Sequence, residues 1–155
     1  MAKPLTARQI QDFRAVSRSY SDTSILMHEA IARRAGLSGA DHKYLGFIIQ
    51  KGAITAGDLS RLTGLTTGAV TGLIDRFEKK KLVKRQFDKE DRRKVIIVPN
   101  VENTEKLLKP FFSELQEKTI RLISSFSEKE LLVIEKYMLS AVGIMSEVTD
   151  HLNHQ

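Results

Sequence analysis

The densest chemistry in this sequence is cationic. From Arg85 the chain reads Arg-Gln-Phe-Asp-Lys-Glu-Asp-Arg-Arg-Lys, placing Arg85, Lys89, Arg92, Arg93 and Lys94 in one short stretch. Such side chains neutralise phosphates, and an arginine among them suits a narrow minor groove. Asp88 and Asp91 interrupt the run. They would repel a polyanion unless they hold cations in position, either these arginines or Arg76. A second set lies just upstream: Thr66, Thr67, Gly68, Thr71, Gly72, Asp75 and Arg76. At 100° per residue, Gly68, Thr71, Gly72 and Asp75 share one side of a helix, with Thr67 on its flank. The threonines offer hydroxyls to phosphates or bases and methyls to thymine, and Arg76 is the guanine reader of this face. Two glycines on an exposed helix face cost about 1 kcal/mol each relative to alanine. That cost suits a helix that must approach something closely, as in a major groove.

Other chemistries find no support. There is no Gly-x-Ser-x-Gly elbow and no Gly-x-x-x-x-Gly-Lys phosphate loop. The absence of cysteine excludes disulfides, thiolate metal sites and thiol redox sensing. Of the four histidines, His28, His42, His151 and His154, no two stand four apart, so no metal site is expected. Glu128 and Glu130 open a helix, where carboxylates serve its dipole. No catalysis and no cofactor are expected.

The elements that would carry the two cationic sets follow from periodicity. Thr55, with Asp58 three residues on, opens one short helix through Leu59 and Leu62, and Gly64 interrupts it. Thr66 or Thr67 caps the next, which places Val70, Leu73, Ile74 and Phe77 on one face and ends in three lysines. Leu59, Leu62, Leu65, Val70 and Leu73 are positioned to seal the pair. The period then changes. Residues 82–86 and 95–98 are short and rich in β-branched side chains, so the charged stretch between them becomes a hairpin tip. Two short helices joined at a glycine and followed by a basic hairpin make a winged helix-turn-helix.

The flanks read as helix. Ile10, Phe13, Val16, Tyr20, Met27 and Ile31 recur at helical spacing, and Gly36 and Gly39 mark a break. Residues 102–125 form a helix with a kink or break expected at Pro110. Ser127 to Glu130 is a capping box. Beyond it Leu131, Ile134, Met138, Ala141, Met145, Val148 and Leu152 step alternately by three and four, a heptad seam for packing along another helix. Ile10 and Phe13, with Leu131, Ile134, Met138, Ala141, Met145 and Val148, are the expected dimer-interface positions.

Charge supports the same division. The 155 residues carry a net +6, with 41% hydrophobic and 28% charged side chains, which fits one globular domain. Residues 1–40 sum to +3, residues 41–100 to +6 and residues 101–155 to −3. The basic middle is the part suited to a polyanion. No apolar run approaches a membrane span, and the first residues hold no apolar signal core, so a cytoplasmic location without membrane association is expected.

At this point a resemblance is visible. The stretch from Asp41 to Val98 resembles the MarR family of bacterial regulators. Leu65-Thr66-Thr67-Gly68-Ala69-Val70-Thr71-Gly72-Leu73-Ile74-Asp75-Arg76 is similar to that family's recognition helix, and Asp88-Lys89-Glu90-Asp91-Arg92-Arg93 to its Asp-x-x-Asp-x-Arg wing. Lys81 stands where the family usually has glycine, and Pro99 and Asn103 stand where it has threonine and glycine. The resemblance implies a homodimer held by N- and C-terminal helices, Arg93 in the minor groove with Arg92 beside it, and Asp91 orienting basic side chains, Arg76 among the candidates. It also implies a small aromatic effector as a candidate partner, with His28, Tyr44 and Phe47 as candidate pocket residues.

The expected fold is therefore mainly α with a small β-hairpin wing: a winged helix-turn-helix over residues 41–100, flanked by dimerisation helices over 5–35 and 102–152, in a single domain spanning 1–155. The expected function is sequence-specific binding of double-stranded DNA as a homodimeric transcriptional regulator, a repressor at a pseudo-palindromic operator. The alternatives are a winged-helix protein-interaction module and a nonspecific architectural DNA-binding protein.

Overall fold

The computed structural model describes residues 4–88, 91 and 94–153. Along the chain run α1 (Ala7–Arg34), α2 (Gly39–Lys51), β1 (Ile54–Thr55), α3 (Ala56–Thr63), α4 (Thr67–Lys79), β2 (Val83–Phe87), β3 (Val95–Pro99), α5 (Val101–Ile123) and α6 (Glu128–Asn153). The architecture is mainly α with a small antiparallel sheet, as the residues implied. The sheet has a third strand that periodicity did not reveal. β1 pairs with β3, Ile54 opposite Ile97, so the order is β1-β3-β2. A two-residue strand is too short for alternation to register.

Side-chain caps set the helix starts. Ser38, Thr55 and Thr66 each adopt an extended backbone and accept a hydrogen bond from the amide three residues on. Thr55 is reciprocal, because its hydroxyl also donates to Asp58 Oδ2 at 2.6 Å. Gly64 ends α3 at φ 70°, a left-handed turn that glycine adopts freely, and its amide donates to Ser60 O at 2.8 Å. This is the turn of the helix-turn-helix.

The core sits beneath that motif. Val70, Leu73, Ile74 and Phe77 of α4 are at most 1% exposed, and they meet Leu45, Ile48, Leu59, Leu82 and Ile97, which are buried too. The apolar face of α4 thus lies where the sequence placed it. Leu62 does not join this seal. It is 45% exposed beside Ile54, Asp58 and Arg61, and Leu59 alone of α3 is fully buried. An eight-residue helix makes just over two turns, so one side chain can reach the centre while its neighbour three positions on slips to the rim.

The long helices contrast with this. A kink or break was expected at Pro110; α5 continues through it without a break, absorbing one missing amide donor. In α1, Ile10 and Phe13 are 48% and 53% exposed, although Phe13 meets the Tyr137 ring of α6 edge-on at 4.9 Å. In α6, Leu131, Ile134 and Ala141 are half-buried, whereas Met138, Met145 and Val148 are exposed. Leu132, Val133, Leu139, Val142 and Ile144 are exposed as well, so the apolar surface of α6 is wider than a heptad seam. No helix among the described residues is long and apolar enough to cross a membrane.

Candidate nucleic-acid interface

α4 begins at a capping threonine. Thr66 Oγ1 accepts from Ala69 N at 3.3 Å, which fixes where the helix starts. Thr67 is exposed on the first turn. Thr71 Oγ1 donates to Thr67 O at 3.0 Å, so its methyl and lone pairs, rather than its proton, are free to face outward. Gly68 lies open: among the described residues, nothing lies within 4 Å of where a Cβ would stand. A Cβ at Gly72 would lie 3.7 Å from Arg76 Nη1, an ordinary contact. Neither glycine is therefore required by packing against the described residues.

The charged residues of this helix are tied to its surroundings. Asp75 accepts from Arg85 Nη2 at 2.6 Å. Glu78 accepts from the Arg85 backbone amide at 2.9 Å and from its Nη1. Arg85 therefore braces α4 to β2, and the two carboxylates raise its already high pKa. Its charge is answered by carboxylates of the same chain. Arg76 Nη2 and Nε donate to Asp41 Oδ1 and Oδ2 at 2.7 and 3.1 Å. Asp91 was a candidate to orient Arg76; the carboxylate that holds it is Asp41, from the first turn of α2. A pair 35 residues apart leaves no local pattern in a sequence, so Asp41 escaped notice.

The hairpin closes on itself below its tip. Asp88 N donates to Lys94 O, Lys94 N to Asp91 O, and Asp91 N to Asp88 Oδ1, each at 2.9 Å. This side-chain-assisted turn leaves Lys94 exposed. Lys89, Arg92 and Arg93, the other wing candidates, lie outside the described residues.

Two departures from the family pattern meet at the far end of α4. Lys81 takes φ 58°, a left-handed backbone without glycine. Its amide donates to Glu78 O at 2.8 Å and that of Leu82 to Phe77 O at 2.9 Å, the Schellman ending of a helix. Asn103 Nδ2 then donates to Lys81 O at 2.9 Å, stitching this turn to α5.

The candidate effector residues separate. His28 and Phe47 line an open cleft of about 590 Å³ between α1 and α2, together with Glu29, His42, Lys43 and Gln50. Tyr44 does not line it; it packs against the core, because the 100° step from Lys43 turns it inward. His42 stacks on Phe112 of α5 at 5.9 Å and stands 5.4 Å from His28. Burial first, and His28 second, lower the His42 pKa. Among the described residues, no group of three or more acidic, histidine or cysteine side chains is placed to hold a metal.

Comparison with known proteins settles the lineage. The MarR family profile matches residues 35–94, which hold the helix-turn-helix and most of the hairpin. The HTH-type transcriptional regulator YcgE of Bacillus subtilis (strain 168) is 38% identical over 135 residues, 87% of each chain. The chain belongs to the MarR family. Within the MarR family, a Bacillus stearothermophilus protein superposes with a TM-score of 0.70 at 21% identity, covering 92% of this chain and 99% of that one. A mutant of E. coli MarR complexed with operator DNA gives 0.55 at 18%, covering 90% and 99%. The chain is thus a MarR-family, DNA-binding transcriptional regulator and not an enzyme.

Proposed function

We propose that the protein is a homodimeric repressor that binds a pseudo-palindromic operator, with the outer face of α4 in successive major grooves and the hairpins flanking them. The observation that carries this reading is the bare face of α4. Gly68 is helical, exposed and unneeded by any described neighbour, yet it forgoes the stability of a better helix former. A backbone that must lie close to base edges gives that vacancy a reason. A mutant E. coli MarR complexed with operator DNA shares the fold, which supports operator DNA as the partner. The exposed apolar surfaces of α1 and α6 support a second copy as their cover, because a helix apolar on most sides is stable only when buried. Two recognition helices related by a two-fold axis read half-sites about 10 bp apart. The cleft holding His28, His42 and Phe47 is the place for a small aromatic effector that relieves repression.

Gly68→Leu tests the central reading. Its Cβ meets none of the described residues within 4 Å and leucine is the better helix former, so the melting temperature should hold or rise. Duplex affinity should nevertheless fall by more than tenfold, since the side chain occupies the groove. Unchanged affinity in a folded variant would remove α4 from the interface. A salt-sensitive binder with no base preference would be architectural instead, and absence of duplex binding would favour docking to a protein.

A further inference from the structure

Arg76 sits on the outer side of α4, but its guanidinium is not free to point anywhere. The side-on edge, Nε and Nη2, is taken by the two oxygens of Asp41 in a fork at 3.1 and 2.7 Å. The burial of the partners is unequal: the Asp41 side chain is 13% exposed and that of Arg76 is 55% exposed. The carboxylate is therefore the inner, fixed member. Its backbone amide is itself held by the Ser38 hydroxyl at 3.0 Å, at the start of α2. Nη1, on the opposite edge, lies over Gly72, on the face that carries Gly68 and Thr71.

A planar guanidinium has five donors in a rigid frame. When a carboxylate takes one hydrogen from Nε and one from Nη2, three remain, and the end-on edge is formed by one hydrogen of Nη1 and the outer hydrogen of Nη2. That edge matches the O6 and N7 acceptors of guanine in the major groove. An unbuttressed arginine would instead swing to the nearest phosphate, which contributes affinity without sequence information.

We propose that Asp41 is a positioning residue that sets the base specificity of Arg76, holding its end-on edge toward a guanine in each half-site. The inference rests on the reading that the α4 face meets the major groove. Asp41 touches no DNA; it converts a mobile cation into a directional reader and cancels the charge that would otherwise seek phosphate.

The test compares wild type with Asp41→Asn, Arg76→Lys and Arg76→Ala by selection from a random duplex library, with affinities measured against salt. Wild type should show one symmetric guanine preference lost in Arg76→Ala, a discrimination of about 5- to 150-fold. Asp41→Asn should flatten that same position while binding unrelated duplex as tightly as wild type or tighter. Its salt dependence should steepen by about one unit per subunit, because a freed arginine gains a phosphate. Arg76→Lys keeps the charge and leaves Asp41 in place, so it tests the fork even if Asp41→Asn folds poorly; it should lose the same preference. A uniform fall in affinity for Asp41→Asn with the guanine preference intact would make Asp41 merely structural and overturn the proposal. So would a guanine preference that survives Arg76→Ala. In that case, loss of binding in Gly68→Leu would still keep α4 at the DNA and confine the failure to Arg76.

Discussion

Lys81 offers a sharp test of how the recognition helix is joined to the hairpin. It holds φ 58° in the Schellman turn after α4, where a Cβ crowds the backbone. For an L-residue that conformation costs about 1–2 kcal/mol. Glycine escapes the crowding but gives up about 0.5–1 kcal/mol to the greater freedom of its unfolded chain. Every hydrogen bond of the turn is made by backbone atoms or accepted by the Lys81 carbonyl, so all of them survive substitution. Lys81→Gly and Lys81→Ala lose the same charge at the helix end, and the difference between them isolates the backbone. Gly should exceed Ala by about 0.5–1 kcal/mol, or about 1–4 °C in melting temperature for a chain of this size. Urea and thermal unfolding at matched protein concentration measure it, since association shifts apparent stability. Equal stability, or Ala above Gly, would refute the argument that strain is stored there.

Three further outcomes follow from other positions. Thr104 is 3% exposed and its hydroxyl has no hydrogen-bond partner among the described residues, so Thr104→Val should stabilise the fold by about 1 kcal/mol in urea unfolding; a loss would mean the hydroxyl is satisfied. His42 is held below the ordinary histidine value of about 6.5, so the unfolded chain takes up a proton before the folded one does. Stability is then complete above that value and falls as pH drops toward the lowered folded pKa; His42→Phe should flatten this decline in pH-dependent melts, and an unchanged slope would contradict it. Met145 is 60% exposed on α6, so Met145→Glu should spare the monomer fold while shifting a dimer toward monomer in sedimentation, and an unaltered dimer would place the interface elsewhere.

The parts of the fold that repeat with a short period were legible from residues alone. The buried face of α4 follows from Val70, Leu73, Ile74 and Phe77, because 3.6-residue spacing forces them together. The caps at Thr55 and Thr66 are local too, each acting within three residues. What escaped depends on distance along the chain. The Asp41–Arg76 fork, the Arg85 brace to Asp75 and Glu78, and the Asn103 link to Lys81 join separate elements, and no spacing rule announces them. β1 escaped because two residues carry no alternation. Tyr44 and His42 show the remaining difficulty: both are aromatic neighbours on α2, and only the packing of α1 and α5 decides which faces the core and which the cleft.

The measurement that bears most directly on the central claim is selection from random duplex DNA at near-physiological salt, with Arg93→Ala alongside wild type. The account predicts a two-fold-symmetric motif with half-sites about 10 bp apart for wild type, and weaker binding with a shallower salt dependence for the variant. Failure to enrich any symmetric motif, with Arg93→Ala binding as tightly as wild type, would contradict it.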